Sequence, residues 1–236
     1  MTNRNILHID ASARAGRSGT DARGSHTRRL SHRFVERWIG VRPGDTVTYR
    51  DVGRESPSPV SGEWIAAAFT PPERRTAAAR ERLEESDVLV AELIRADLIV
   101  IGAPMYNFGV PAQLKAWIDN VVRVGLTFGF DRSRESEPYW PMLAPGKRLV
   151  ILTSRGDYGY DVGGRLEAMN LVEPGIAAPM GYLGLTEAHS VAIEYDEFAD
   201  GRLAASIRDA EAGVDELVHR LVRDTQDALT PVYASA

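Results

Sequence analysis

Residues 12–27 (SARAGRSGTDARGSHT) place hydroxyls, glycines and arginines directly before a helical pattern. A helix N-terminus presents backbone N–H groups with no partner of their own, and with short hydroxyl side chains it forms a phosphate site. The common nucleotide signatures fail here. Gly19 and Gly24 have Walker spacing, but Ser25-His26 stands where Lys-Ser/Thr is required, and Gly16, Gly19 and Gly24 do not form G-x-G-x-x-G. A single phosphate without a P-loop lysine suits a mononucleotide better than a triphosphate. A plainer reading stays open, in which Ser25 or Thr27 merely caps the helix. The local arginine excess leans toward the anion.

A second segment, residues 104–111 (PMYNFGVP), joins an apolar run to a helical pattern and carries a thioether, two aromatics and an amide in four successive positions, Met105, Tyr106, Asn107 and Phe108. Such a loop can lie along the edge of a flat heteroaromatic ring, with Tyr106 and Phe108 as walls and Asn107 as a hydrogen-bonding group. The third segment, residues 153–159 (TSRGDYG), again puts small and hydrogen-bonding residues after an apolar run, and its glycine permits close approach of a ring. Other chemistries find no support. There is no cysteine, so thiolate metal sites and cysteine nucleophiles are excluded. No G-x-S-x-G or H-E-x-x-H occurs, and His8, His26, His32, His189 and His219 show no metal-ligand spacing. His8 is expected in the core of a strand, His26 in the phosphate turn, and the other three on the surface.

The elements that must position these loops alternate. Strands are predicted at 5–10, 46–51, 97–103, 148–154 and 187–195 from short apolar or alternating runs. Helices are predicted at 27–39, 73–96, after Pro111, within 162–183 and from 201 to about 228. Pro111 suits a first helical turn, and Gly125 a helix stop. The buried stripes should be Leu30, Phe34, Val35 and Trp38; Leu83, Val90, Leu93 and Ile94; Leu114, Trp117, Ile118 and Val121; and Leu203, Ile207, Ala210, Val214, Leu217 and Leu221. Residues 54–72, rich in proline and serine, are expected to form a long loop able to cover a ligand, with a short helical turn near 64–69. Residues 126–147 should form a second loop over the site with short hairpin strands. The pattern predicts one α/β domain spanning 1–236, a doubly wound five-stranded parallel sheet with helices on both faces. Ligands in that architecture bind beyond the carboxyl ends of the strands, after Asp10, Ala103 and Thr153.

The chain has 236 residues, 44% hydrophobic and 26% charged, with a formal charge of -5. That balance argues against a nucleic-acid binder. Residues 1–37 nevertheless carry eight arginines against three acidic residues, a local +5 that leaves -10 for the remainder. The apolar runs are far shorter than the roughly 20 residues a bilayer requires, and the N-terminus lacks a signal-peptide pattern, so a soluble cytoplasmic protein is expected.

The strand NILHIDAS, the helix start SHTRRLS, the block APMYNFGVPAQLKAWIDNVVRVGLTFGF and TSRG resemble the FMN-dependent NADH-azoreductases, flavodoxin-like enzymes also described as NADH:quinone oxidoreductases. The resemblance implies that Ser12, Ser25, His26 and Thr27 hold the FMN phosphate. It implies that Met105, Tyr106, Asn107 and Phe108 contact the isoalloxazine ring, with Ser154, Arg155 and Gly156 on its other side. Phe130 and Tyr182 match positions that wall the substrate pocket, partly across a homodimer interface, to which Phe128, Tyr139 and Trp140 would also contribute. The family commonly has a second glycine where this chain has Asp157, which is expected to turn outward, and residues 17–24 lengthen the phosphate loop. The implied activity is ping-pong hydride transfer from NADH or NADPH through flavin N5 to quinones or azo compounds, with no catalytic side chain required. The alternative is a flavodoxin-like electron carrier that meets protein partners and has no reductase activity.

Overall fold

The computed structural model describes residues 3–227. Strand β1 (Asn5–Asp10) enters the centre of the molecule and is buried from Ile6 onward. It is followed by helix α1 (His26–Val41), β2 (Thr46–Asp51), α2 (Gly62–Phe69), α3 (Ala77–Arg95), β3 (Leu98–Pro104) and α4 (Ala112–Val121). A short hairpin, β4 (Phe128–Phe130) and β5 (Tyr139–Pro141), precedes β6 (Arg148–Ser154), α5 (Glu173–Tyr182), β7 (Glu187–Ile193) and α6 (Gly201–Asp227). The main sheet has the order β2-β1-β3-β6-β7 with every pair parallel. Chain direction across the sheet reverses between β1 and β3, which makes their carboxyl ends the topological switch point.

Alternation along the strands divides the core into two layers. Leu7, Ile9, Ile99, Ile101, Leu149 and Ile151 face the side covered by α3, α4 and α5. Ile6, Leu98, Val100, Val150 and Leu152 face α1 and α6, where Leu30, Phe34, Trp38, Val214, Leu217 and Leu221 close the opposite layer. Strands β1, β2 and β6 have the bounds expected from the sequence, and β3 and β7 differ by one or two residues at their ends. The residue expected near 228 at the end of α6 lies outside the described residues.

Three expectations are corrected. The proline-rich 54–72 segment contains a full helix, α2, because Ser61 accepts a hydrogen bond from the Trp64 N–H and starts it. Its Ala67 and Ala68 pack on Leu83 of α3, so the segment covers a helix and does not line the site. The expected 73–96 helix is two pieces, a 3-10 turn at Pro72–Arg74 and then α3, which Thr76 caps; Leu89 replaces the exposed Ile94 in its buried stripe. The helix expected within 162–183 is α5, and Gly159 and Gly163, at positive φ, keep the residues before it in turns. Helix α4 ends at Val121, with Pro111 at its cap, and Gly125, at φ 75°, serves the turn beyond it.

Candidate active site

At the β1/β3 switch point lies a cavity of ≈ 300 Å³ lined by Ser12 and Arg14, by Ser25 and His26 at the start of α1, by Pro104, Met105 and Tyr106 after β3, by Ser154 and Gly156 after β6, and by Asp196 and Glu197 after β7. All three loops singled out in the sequence therefore converge. The lengthened first loop folds outward. Ser25 N–H donates to Gly16 O at 2.7 Å and Ser18 N–H to Ser25 O at 3.1 Å, pinching residues 17–24 into a self-contained excursion. Gly24 permits the pinch, since a Cβ there would lie 2.0 Å from the Arg17 carbonyl carbon. The turn before α1 thus reaches the cavity despite the extra residues.

Ser25 is the N-cap of α1, its hydroxyl accepting from the Arg28 N–H and lying 2.9 Å from Thr27 Oγ1. Thr27 is buried behind it and does not line the cavity. Capping and anion binding are compatible here. The cap satisfies the Arg28 N–H, and the N–H groups of His26 and Thr27, which have no intrahelical acceptor, remain for a ligand. His26 lines the cavity with Nδ1 2.8 Å from Ser18 Oγ and Nε2 3.2 Å from Asp196 Oδ1. The hydrogen bond with His26 holds the Asp196 carboxyl below its usual range against the opposing effect of burial.

After β3, Tyr106 and Gly109 exchange backbone hydrogen bonds of 3.0 and 3.1 Å around Asn107 and Phe108, both at positive φ (49° and 71°). Positive φ at both central positions is the type I′ geometry, ordinary for asparagine and strained for phenylalanine. Tyr106 extends across the cavity, its hydroxyl accepting from the Ala13 N–H at 3.2 Å and tying the second loop to the first. Asn107 and Phe108 sit at the exposed corner of the turn, outside the cavity wall.

After β6, the Arg155 side chain does not reach the cavity. It is fully buried among Asp161, Glu173 and Glu194; burial works to lower its pKa, and the attraction of Glu173 and Asp161 outweighs that and raises it. Only the small residues flanking it, Ser154 and Gly156, line the wall. Asp157 turns away and pairs with Arg165 at 2.5 Å. Phe130 and Tyr182 are also outside the cavity, in an aromatic group with Phe128 and Tyr139 where ring centroids are 4.7 to 6.3 Å apart. Hairpin β4–β5 carries this group onto α5, and no residue of 126–147 lines the cavity. Phe128, expected to contribute at a homodimer interface, is buried within the chain, whereas Phe130, Tyr139 and Tyr182 are 41 to 50% exposed.

The N-terminal arginines are mostly paired. Arg28 makes two hydrogen bonds to Asp51, 2.6 and 2.7 Å, and lies 3.5 Å from Asp10, while Arg29, Arg33 and Arg37 pair with Glu211 or Asp215 of α6 and Arg17 pairs with Glu36. Only Arg14 lines the cavity, 3.9 Å from Asp196. Sequence spacing also missed a second cluster, because β1 and α1 bring His8, Asp10 and His32 within 4.8 Å. Both Asp10 oxygens are already engaged: Ser31 Oγ donates to one at 2.7 Å, while the Tyr49 hydroxyl donates to the other at 3.0 Å and His32 Nε2 lies 3.2 Å from it. With the Arg28 guanidinium adjacent, this is a neutralised polar network, and His32 belongs to it instead of the surface. Asp196 and Glu197 were likewise missed, since two acidic residues after a strand give no local sign of facing an anion site.

Fold order, switch-point cavity and donor set together define a flavodoxin-like protein built to hold a phosphate beside a planar ring. The Flavodoxin_2 family model, described as a flavodoxin-like fold, matches residues 4–216. The chain is 42% identical over 217 residues to FMN-dependent NADH:quinone oxidoreductase 2 of Colwellia psychrerythraea, covering 92% of this chain and 99% of that one. It is 41% identical over 224 residues to FMN-dependent NADH:quinone oxidoreductase 2 of Idiomarina loihiensis, covering 95% and 93%. It belongs to the family of FMN-dependent NADH:quinone oxidoreductases. The structure of an FMN-dependent NADH-azoreductase from Bacillus anthracis in complex with FMN shares the fold, with TM-score 0.78 over 93% of this chain and 99% of that chain at 17% identity.

The residues present fit FMN. Helix N–H groups, the Ser12 hydroxyl and Arg14 suit a phosphate, Tyr106 and Met105 offer an aromatic and thioether wall, and Gly156 presents bare backbone on the facing side, with the Glu197 side chain packed against it.

Proposed function

We propose that this chain is an FMN-dependent NAD(P)H oxidoreductase that reduces quinones and aromatic azo compounds, working as a single-domain cytoplasmic homodimer. The observation that carries the proposal is the convergence of the α1 N-terminus and the Met105-Tyr106 wall on one cavity at the β1/β3 switch point. When bound, FMN supplies hydride acceptance from NADH or NADPH at N5 and its later delivery to a planar acceptor, in ping-pong order.

The chain's own residues bind and orient. Ser12 and the backbone N–H groups of His26 and Thr27 hold the phosphate, with Ser25 fixing the helix start that aims them. Met105 and Tyr106 set one edge of the ring, and the turn through Asn107 and Phe108 continues that edge outward. Ser154 and Gly156, with the backbone of Arg155, form the other edge, while the buried Arg155 side chain makes that loop rigid. No side chain is assigned a proton-transfer role. The half-exposed Phe130, Tyr139 and Tyr182 support a second copy docking at the hairpin, which would wall the acceptor pocket.

Purified full-length chain titrated with FMN tests the site. The expected result is a yellow complex and a melting temperature that rises with FMN concentration. A melting temperature insensitive to FMN would contradict it. A chain that binds FMN without accepting electrons from NADH or NADPH would be an electron carrier instead.

A further inference from the structure

The proposed FMN cavity contains two carboxylates that a phosphate ester does not call for. Asp196 Oδ1 sits 3.2 Å from His26 Nε2, and Asp196 Oδ2 is 3.9 Å from Arg14 Nη1, so it engages the His26 side chain and lies beside the Arg14 cation without hydrogen-bonding it. Glu197 lies beside it against Gly156, where a Cβ on that glycine would meet its Oε1 at 2.5 Å. Both are held in place from the backbone, Asp196 N–H donating to Arg155 O at 3.2 Å and Glu197 N–H to Gly156 O at 3.1 Å. The loop that carries them has Tyr195 and Ala199 at positive φ, 67° and 50°, so its shape is maintained against local backbone preference.

We propose that Asp196 is a resident anion that competes with the flavin phosphate for the His26 and Arg14 donors, and so determines how tightly, and with what preference over an unphosphorylated flavin, this chain holds its cofactor. The inference rests on the reading of the cavity as an FMN site. A phosphate brought to this turn meets a fixed like charge in a partly desolvated pocket, where repulsion exceeds that in open water. The same carboxylate already offsets the His26 and Arg14 side chains, so their charge is not free to favour the phosphate. Riboflavin, which carries no phosphate, encounters neither cost. The FMN of this chain is accordingly exchangeable, and removing the Asp196 charge converts it to a tightly held group.

The test is flavin-fluorescence titration of full-length, flavin-free protein with FMN and separately with riboflavin, for the native chain, Asp196→Asn and the charge-retaining Asp196→Glu. Asp196→Asn is expected to bind FMN about tenfold tighter, about 1.4 kcal/mol, with riboflavin affinity within about twofold of native. Asp196→Glu should keep the native preference. Equal or weaker FMN binding by Asp196→Asn, on a native chain that does bind FMN, overturns this inference alone. A parallel gain for riboflavin also overturns it, because the effect would then lie in pocket shape. A native chain that binds neither flavin overturns the FMN reading and this inference together.

Discussion

Arg28 shows how a residue's type can be legible while its partner is not. The arginine-rich N-terminus suggested an anion site, yet Arg28 is buried against Asp51 and Asp10, and Arg29 and Arg33 reach α6 carboxylates 182 residues further on. A window along the chain cannot see those partners. Arg28→Ala leaves Asp10 and Asp51 facing each other without their shared cation. It is expected to cost about 3 kcal/mol or more in urea unfolding, the penalty for breaking a buried pair from one side. A loss under about 1 kcal/mol would contradict the pairing. Asp10 supplies a pH signature. Burial alone would raise its pKa, but His32 at 3.2 Å, the nearby His8 ring and the hydrogen bond from Ser31 outweigh burial and hold the carboxyl well below the usual range. Its stabilising contribution is therefore complete above the unfolded-state value of about 3.9 and is lost as pH falls below that toward the folded-state value. Between about pH 5 and about pH 3, native protein should lose more stability than Asp10→Asn, measured by urea midpoints. Parallel curves for the two proteins would contradict the assignment.

At the scale of elements, strands were the most legible. The run at 149–152 within β6 is apolar and buried on both faces, and that pattern alone marks the strand. Helices bounded by glycine, proline and hydroxyl residues were read less well, because one Ser61 or Thr76 hydroxyl decides where α2 or α3 begins. Of the candidate site, the loops were legible by position after the strands. The direction of individual side chains was not: Arg155 points into a carboxylate nest, and Asn107 and Phe108 stand at the corner of a turn. The extended phosphate loop depends on Gly24, whose missing side chain lets residue 17 and residue 25 approach. Gly24→Ala should open this pinch and misplace the α1 turn, weakening FMN binding by about tenfold. Because the excursion lies outside the main sheet, the urea midpoint should change little. Native-like FMN affinity in Gly24→Ala would show that the turn is positioned by other contacts.

For the whole molecule, the acidic balance of -5 and the absence of cysteine take on a consistent meaning. Under the proposed function, redox work falls to a bound flavin, and the α1 terminus with Arg14, not net charge, would draw its phosphate. β1 and β3 stay paired to their carboxyl ends, but the chain leaves them toward opposite faces, to α1 and to α4, and this topology collects residues from positions 12 to 197 around one cavity. No described helix is long and apolar enough to cross a membrane. The aromatic face at β4, β5 and α5 predicts self-association, and light scattering should give twice the chain mass; a monomeric mass would remove the partner's share of the acceptor pocket. The most direct measurement is anaerobic stopped-flow mixing of the FMN-loaded chain with NADH or NADPH, followed by a second mixing with a quinone. Loss of the oxidised-flavin absorbance in the first step and its return in the second is the predicted result. A bound flavin that stays oxidised with both nucleotides would contradict the reductase function.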